Sequence, residues 1–230
     1  MIITFANLKG GVGKSTLVAL YANHLAACIG NDRIRILDTD EQGSILKLRD
    51  EDKSGDDTFD SYRIVDCKDW ARQEESEIVR VMELIRKDKG VYLVDTPGNI
   101  GSGFLVHIFR YSDYIVIPYR YDRLILNATL MFFSMLKRIS QKCSAAKMAW
   151  YPGYIFLPNL IEHGTTEERT HYDDVDSELK KLGNVLRRVP KRVAISRHIN
   201  TRPCYGKSSD GWLETFVELD NLINIDKYAK

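Results

Sequence analysis

Residues 9–16 read Lys-Gly-Gly-Val-Gly-Lys-Ser-Thr, directly behind a strand-like start, Ile2-Ile3-Thr4-Phe5-Ala6. The glycines at 10, 11 and 13 let the backbone curl with its N–H groups turned inward at an anion. Lys14 adds a point charge for β- and γ-phosphates, and Ser15 offers a hydroxyl to Mg²⁺. A helix opening near Lys14 aims the positive end of its dipole at the same phosphates. Gly10, Gly11, Val12, Gly13, Lys14, Ser15 and Thr16 are therefore the expected cradle of a nucleoside triphosphate. The common rule G-x-x-x-x-G-K-[ST] is not met, because Leu8 stands where its first glycine belongs. The loop instead fits K-G-G-x-G-K-[ST]-T. Lys9, five residues before Lys14, falls at the rim. From there it could reach the phosphates held by a second subunit and supply transition-state charge in trans, as arginine fingers do. The alternative is a solvated surface lysine.

Two further strand ends carry acids. Ile34-Arg35-Ile36-Leu37 runs into Asp38-Thr39-Asp40, and Val91-Tyr92-Leu93-Val94 runs into Asp95-Thr96-Pro97-Gly98. Parallel α/β sheets bind ligands in the crevice beyond such ends. A carboxylate there can hold Mg²⁺ or orient an attacking water; the alternative for Asp38 and Asp40 is a solvated loop. An apolar strand closed by Asp95 is a Walker B pattern, and the D-x-x-G spacing lets the Gly98 amide sense a γ-phosphate, a switch II arrangement. No asparagine is followed by lysine, so the N-K-x-D of guanine readers is missing and adenine is expected.

The loop resembles the deviant Walker A box of the ParA/MinD family, the SIMIBI-class ATPases, and the later motifs follow in that family's order. The resemblance implies a Mg²⁺- and ATP-dependent ATPase, slow and stimulated by a partner. It implies that Asp38 lies near the metal with Ser15 and Asp95, that Asp40 positions the hydrolytic water, and that Lys9 and Lys14 are catalytic. It also makes Asn159, after the strand Tyr154-Ile155-Phe156-Leu157-Pro158, the candidate base contact. Glu41 stands where family members usually have proline.

The elements that must position these residues alternate. Strands are expected near 2–6, 33–38, 62–66, 91–95, 114–118, 148–157 and 185–189. Helices are expected near 15–29, 43–52, 70–87, 102–111, 123–141, 172–183 and 211–224. Val18, Tyr21, Ala22 and Leu25 form a helical apolar stripe, as do Phe132, Phe133, Leu136 and Ile139. The alternation predicts an α/β fold with a mostly parallel twisted sheet and helices on both faces. At 230 residues and 44% hydrophobic, the chain is expected to be a single P-loop ATPase domain over 1–230. The strand beginning at Ile2 leaves no expected room for a signal peptide or a DNA-reading module before it. No apolar run reaches the roughly 18 residues of a membrane span. The four cysteines show no C-x-x-C or zinc spacing, and reduced thiols in a cytosol are expected.

Charge is unevenly placed. From Leu179 to Ser209 there are nine basic side chains and no acidic one, which leaves the remainder net negative. Arg187, Arg188, Lys191, Arg192, Arg197 and Arg202 within this segment are the expected DNA contacts, made to phosphate without sequence readout. The alternative is a solvated basic face or a dock for an acidic protein. The last helix carries Glu214, Glu218 and Asp220, unlike the basic membrane-lying helix of MinD-like relatives, so no membrane is expected. The combined expectation is a small ParA-type protein in the cytoplasm, on the nucleoid. It forms an ATP-dependent homodimer, binds non-specific DNA, segregates plasmid or other mobile-element DNA, and answers to a centromere-binding, ParB-like adaptor. The alternative is a nucleotide switch that positions a protein cargo.

Overall fold

The computed structural model describes residues 1–53, 61–98, 103–162, 164–192, 199–204 and 211–228. Seven strands, β1 (Ile2–Phe5), β2 (Ile34–Asp38), β3 (Arg63–Asp66), β4 (Val91–Asp95), β5 (Tyr114–Tyr119), β6 (Gly153–Pro158) and β7 (Asn184–Val185), form one sheet in the order β3-β2-β4-β1-β5-β6-β7. Every strand pair is parallel. Parallel neighbours require crossovers, and helices provide them: α1 (Lys14–Ile29), α2 (Ser44–Lys53), α3 (Glu75–Lys87), α4 (Phe104–Tyr111), α5 (Arg123–Ala145) and α6 (Thr166–Lys180), with α7 (Leu213–Ile223) after β7.

Both faces of the sheet are apolar because side chains alternate along each strand. Ile3, Phe5, Ile36, Leu93 and Val116 pack on one face with α1 and with Phe216, Leu219 and Ile223 of α7. Ile2, Leu37, Val94, Ile115 and Ile117 pack on the other with α3, α4 and α5, where Phe132, Phe133 and Leu136 are buried. Each such side chain contributes about 1.5–3 kcal/mol of burial.

Four boundaries differ clearly from expectation. Helix α6 starts at Thr166, not 172, because Thr165 and Glu168 form a capping box: the Thr165 hydroxyl accepts the Glu168 amide at 3.2 Å and the Glu168 carboxylate accepts the Thr165 amide at 2.7 Å. Strand β6 starts at Gly153, since α5 runs on to Ala145 and the chain turns through Lys147 at φ 55°. Strand β7 has two residues rather than five. Beyond it Val189 donates to the Pro158 carbonyl at 2.8 Å and accepts from the Ile161 amide at 3.0 Å, so the chain follows the loop after β6. Helix α3 begins at Glu75, preceded by a 3₁₀ turn at Lys68–Arg72. Among the described residues no helix is long and apolar enough to cross a membrane.

Candidate functional site

Residues 6–13 leave the C-terminal end of β1, near the middle of the sheet. Asn7 fixes their exit: its buried amide nitrogen donates to the Pro118 carbonyl and the Thr129 hydroxyl, both at 2.8 Å, and its Oδ1 accepts the Lys9 amide at 3.2 Å. Gly11 and Gly13 adopt φ of +75° and +86°, the left-handed region that disfavours any Cβ. Lys14 then opens α1, whose first turn holds no acid and whose cap residue, Gly13, offers no side chain. The first N–H groups of the helix therefore remain directed to an outside anion.

Asn159 supports this loop from β6. It is 3% exposed, and its amide nitrogen donates to the Val12 carbonyl at 2.9 Å. A Cβ on residue 13 would stand 2.5 Å from that nitrogen. The nitrogen of the expected base contact is thus engaged in bracing the phosphate loop. Nothing in its sequence position signalled this, and Asn7 was likewise missed.

The carboxylates arrive together because β4 lies between β1 and β2. Asp95 is in register with Asp38 on one side and Phe5 on the other. Thr39 donates its hydroxyl to the Asp95 carbonyl at 2.6 Å, and Thr96 donates to the Phe5 carbonyl at 2.9 Å, which ties the three strand ends. Asp38 is buried, and its two oxygens accept backbone amides, Asp40 at 3.3 Å and Leu46 at 3.3 Å. It orders the turn into α2; burial raises its pKa. Asp40 is half-buried and accepts the Gln42 amide at 3.0 Å.

Asp95 is different. Both of its oxygens are buried and neither has a hydrogen-bond partner. Burial pushes its pKa up to about 7; the nearby Ser15 hydroxyl and Lys14 ammonium favour the charge, and Asp38 and Asp40 oppose it. An orphaned carboxylate beside a P-loop hydroxyl has the chemistry of a Mg²⁺ site, so Ser15 and Asp95 fit that ion. Lys14 is 7% exposed; burial lowers its pKa, while Asp95 and Asp40 hold it up. Its Nζ lies 3.4 Å from the Lys9 carbonyl. Gly98 packs on the loop: a Cβ there would lie 3.5 Å from the Gly10 backbone and 3.8 Å from Lys14 Nζ. The Lys9 side chain is exposed at the rim.

Asp95 makes stability pH-dependent with a definite sign. Its folded pKa exceeds the unfolded value near 3.8, so between those values the folded chain holds a proton that the unfolded chain has lost. In EDTA without nucleotide, stability should fall as pH rises from about 4 to about 7 through this group and level off above. Asp95→Asn should flatten that fall in a series of melting curves. Identical pH profiles for the two proteins would contradict the assignment.

The acid-free basic segment does not present an acid-free surface. Arg187 pairs with Glu214 of α7 at 2.6 Å, and its amide donates to Glu218 at 2.8 Å. Lys191 pairs with Glu162 at 2.6 Å. Arg202 donates to the Asp52 carbonyl at 3.1 Å. Arg192 is exposed, and Arg197 lies outside the described residues. Exposed pairs such as Arg187–Glu214 are worth at most about 1 kcal/mol and can be exchanged for phosphate. Arg188 cannot be exchanged so readily. It bonds Asp173 at 2.6 Å, Asp176 at 2.7 Å and the Tyr121 hydroxyl at 2.8 Å, joining α6 to the end of β5. These bonds make Arg188, an expected DNA contact, a brace within the fold, and a phosphate would have to compete with two carboxylates to reach it. The acids come from the segment after β6 (Glu162), from α6 and from α7, 12 to 31 residues away along the chain.

Residues 3–202 match the CobQ/CobB/MinD/ParA nucleotide binding domain. No curated protein sequence matches the chain. Solved structures share the fold. A Borrelia burgdorferi B31 plasmid partition protein bound to AMPPNP superposes with a TM-score of 0.68 at 18% identity, covering 96% of this chain and 98% of that one. The MinD cell division protein of Aquifex aeolicus gives 0.68 at 17% identity, with 96% and 97% covered. Cobyrinic acid a,c-diamide synthase of Mycobacterium smegmatis, with an ATP analogue and magnesium bound, gives 0.69 at 17% identity, with 100% and 96% covered.

Proposed function

Because this chain belongs to the CobQ/CobB/MinD/ParA nucleotide-binding family, we propose that it is a ParA-like ATPase, a single domain over 1–230, that dimerises on Mg²⁺-ATP, binds DNA without sequence preference and moves plasmid or mobile-element DNA. The observation that carries the nucleotide chemistry is the orphaned Asp95 carboxylate placed between the P-loop and Asp38. Mg²⁺ held by Ser15 and Asp95 would neutralise phosphate charge. Loop amides and the start of α1 bind the phosphates, and Lys14 adds its charge to them. Asp40, on the turn fixed by Asp38, orients the water and can accept its proton. Gly98, packed on Gly10, reports the γ-phosphate to the segment that follows. Lys9, exposed at the rim, reaches across to the partner's phosphates. Dimerisation would place two basic regions on one duplex and raise affinity by avidity. A ParB-like adaptor would speed hydrolysis and release DNA.

Gel shifts on non-specific duplex with ATP, ADP and no nucleotide test the DNA arm. Arg187, Lys191 and Arg192 changed together to glutamine should weaken binding and reduce the salt slope by about three. Unchanged affinity and slope would remove DNA from this surface. The in-chain pairing of Arg187 and Lys191 favours a second reading, in which the ATPase switch positions a protein cargo and DNA plays no part. Binding to an acidic protein with no ATP-dependent DNA shift would select it.

A further inference from the structure

The seam between α1 and α7 holds a cluster that the nucleotide chemistry does not use. His24 and Cys28 are four residues apart on α1, which puts them on one face of the helix. Asp220 approaches from α7. Candidate ligand atoms of all three lie within 4.8 Å of one another. His24 Nε2 is 2.7 Å from Asp220 Oδ2 and 3.8 Å from Cys28 Sγ. Tetrahedral Zn²⁺ with sulfur and nitrogen ligands separates those two atoms by about 3.5 Å, so little movement is required there. Tyr21 donates to the other Asp220 oxygen at 2.7 Å and so aims the carboxylate. His24 is buried against Tyr21, Trp212 and Phe216, whereas Cys28 is exposed and opens the cluster to solvent. Burial, with Asp220 and Asp226, pushes the Cys28 thiol up to about 11, so an incoming cation must displace a proton there, while the two carboxylates attract that cation.

We propose that His24, Cys28 and Asp220 form a binding site for a thiophilic divalent cation of the Zn²⁺ class, with the fourth position left to solvent. One imidazole, one thiolate and one carboxylate suit Zn²⁺ over Mg²⁺ or Ca²⁺, which prefer oxygen alone. The ion replaces the thiol proton and the hydrogen bond between His24 and Asp220. It clamps the helix that carries the phosphate loop to the C-terminal helix.

Cobalt(II) is the probe, added to the full chain without nucleotide. A thiolate-to-cobalt charge-transfer band should appear, saturate at one ion per chain and vanish when Zn²⁺ is added. Cys28→Ser should abolish the band, and the same change at Cys204, the other exposed cysteine among the described residues, should leave it. Asp220→Asn should weaken Zn²⁺ binding more than about 100-fold, and Tyr21→Phe about tenfold. Cys28 is exposed, so its variant should keep the fold, which circular dichroism verifies. Wild-type protein without the band in excess cobalt, or a band that survives Cys28→Ser, overturns the site and leaves His24–Asp220 as an ion pair between helices.

Discussion

Lys14→Ala is expected to abolish ATP binding. The ammonium is buried, close to Asp95 and Asp40, and is aimed at the space between the loop and Gly98. Alanine removes a charge-assisted bond to phosphate, worth about 1.5–3 kcal/mol. It also leaves Asp38, Asp40 and Asp95 facing a polyanion with less opposing charge. The two effects act in one direction, so the loss should exceed about 100-fold. Titration calorimetry with ATP and Mg²⁺ measures it. The apo fold should survive, because Asn7, Asn159, Thr39 and Thr96 hold the loop and strand ends without this side chain. ATP affinity within tenfold of the parent would remove Lys14 from the site.

Lys9→Ala is expected to separate binding from turnover. Its side chain is exposed, while its backbone is fixed by Asn7. Alanine therefore leaves the loop in place, and ATP should bind with nearly unchanged affinity. A charge supplied in trans is worth about 10³–10⁵ in kcat where arginine provides it. Turnover at saturating ATP should fall by at least about 10³-fold, and the ATP-dependent dimer should disappear from light scattering. Normal turnover in the variant would make Lys9 a surface lysine. Together the two substitutions distinguish a ligand of the chain's own nucleotide from a group acting across a subunit boundary.

The legible parts of this protein were those written in local pattern. The glycine spacing and the apolar run before it placed the loop, β1 and α1, and Asp95 ended β4 as its strand pattern required. Helix α6 was placed late because it is polar on nearly all sides, and its cap, Thr165–Glu168, was the signal that would have found it. Strand β7 is shorter than its expected 185–189 because the chain beyond Val185 follows the loop after β6, through the Ile161–Pro190 bridge, while Arg187 and Arg188 turn to acids of α7 and α6. Long-range pairing was not legible. Nothing near Arg188 in sequence shows that Asp173 and Asp176 of α6 meet it, and nothing near Asn159 points to Val12. Such partners are set by which helix packs where. A charge count along the sequence therefore overstated the free positive surface.

The position of β4 between β1 and β2 bears on biosynthesis. About ninety residues separate β1 from its β4 neighbour, so their pairing must wait for that length of chain. A nascent chain that has made only the phosphate loop and the first acidic turn has two strands with a gap between them. The pocket closes when the strand ending in Asp95 enters that gap. Truncated products ending before it should not capture nucleotide and hold it from the cell.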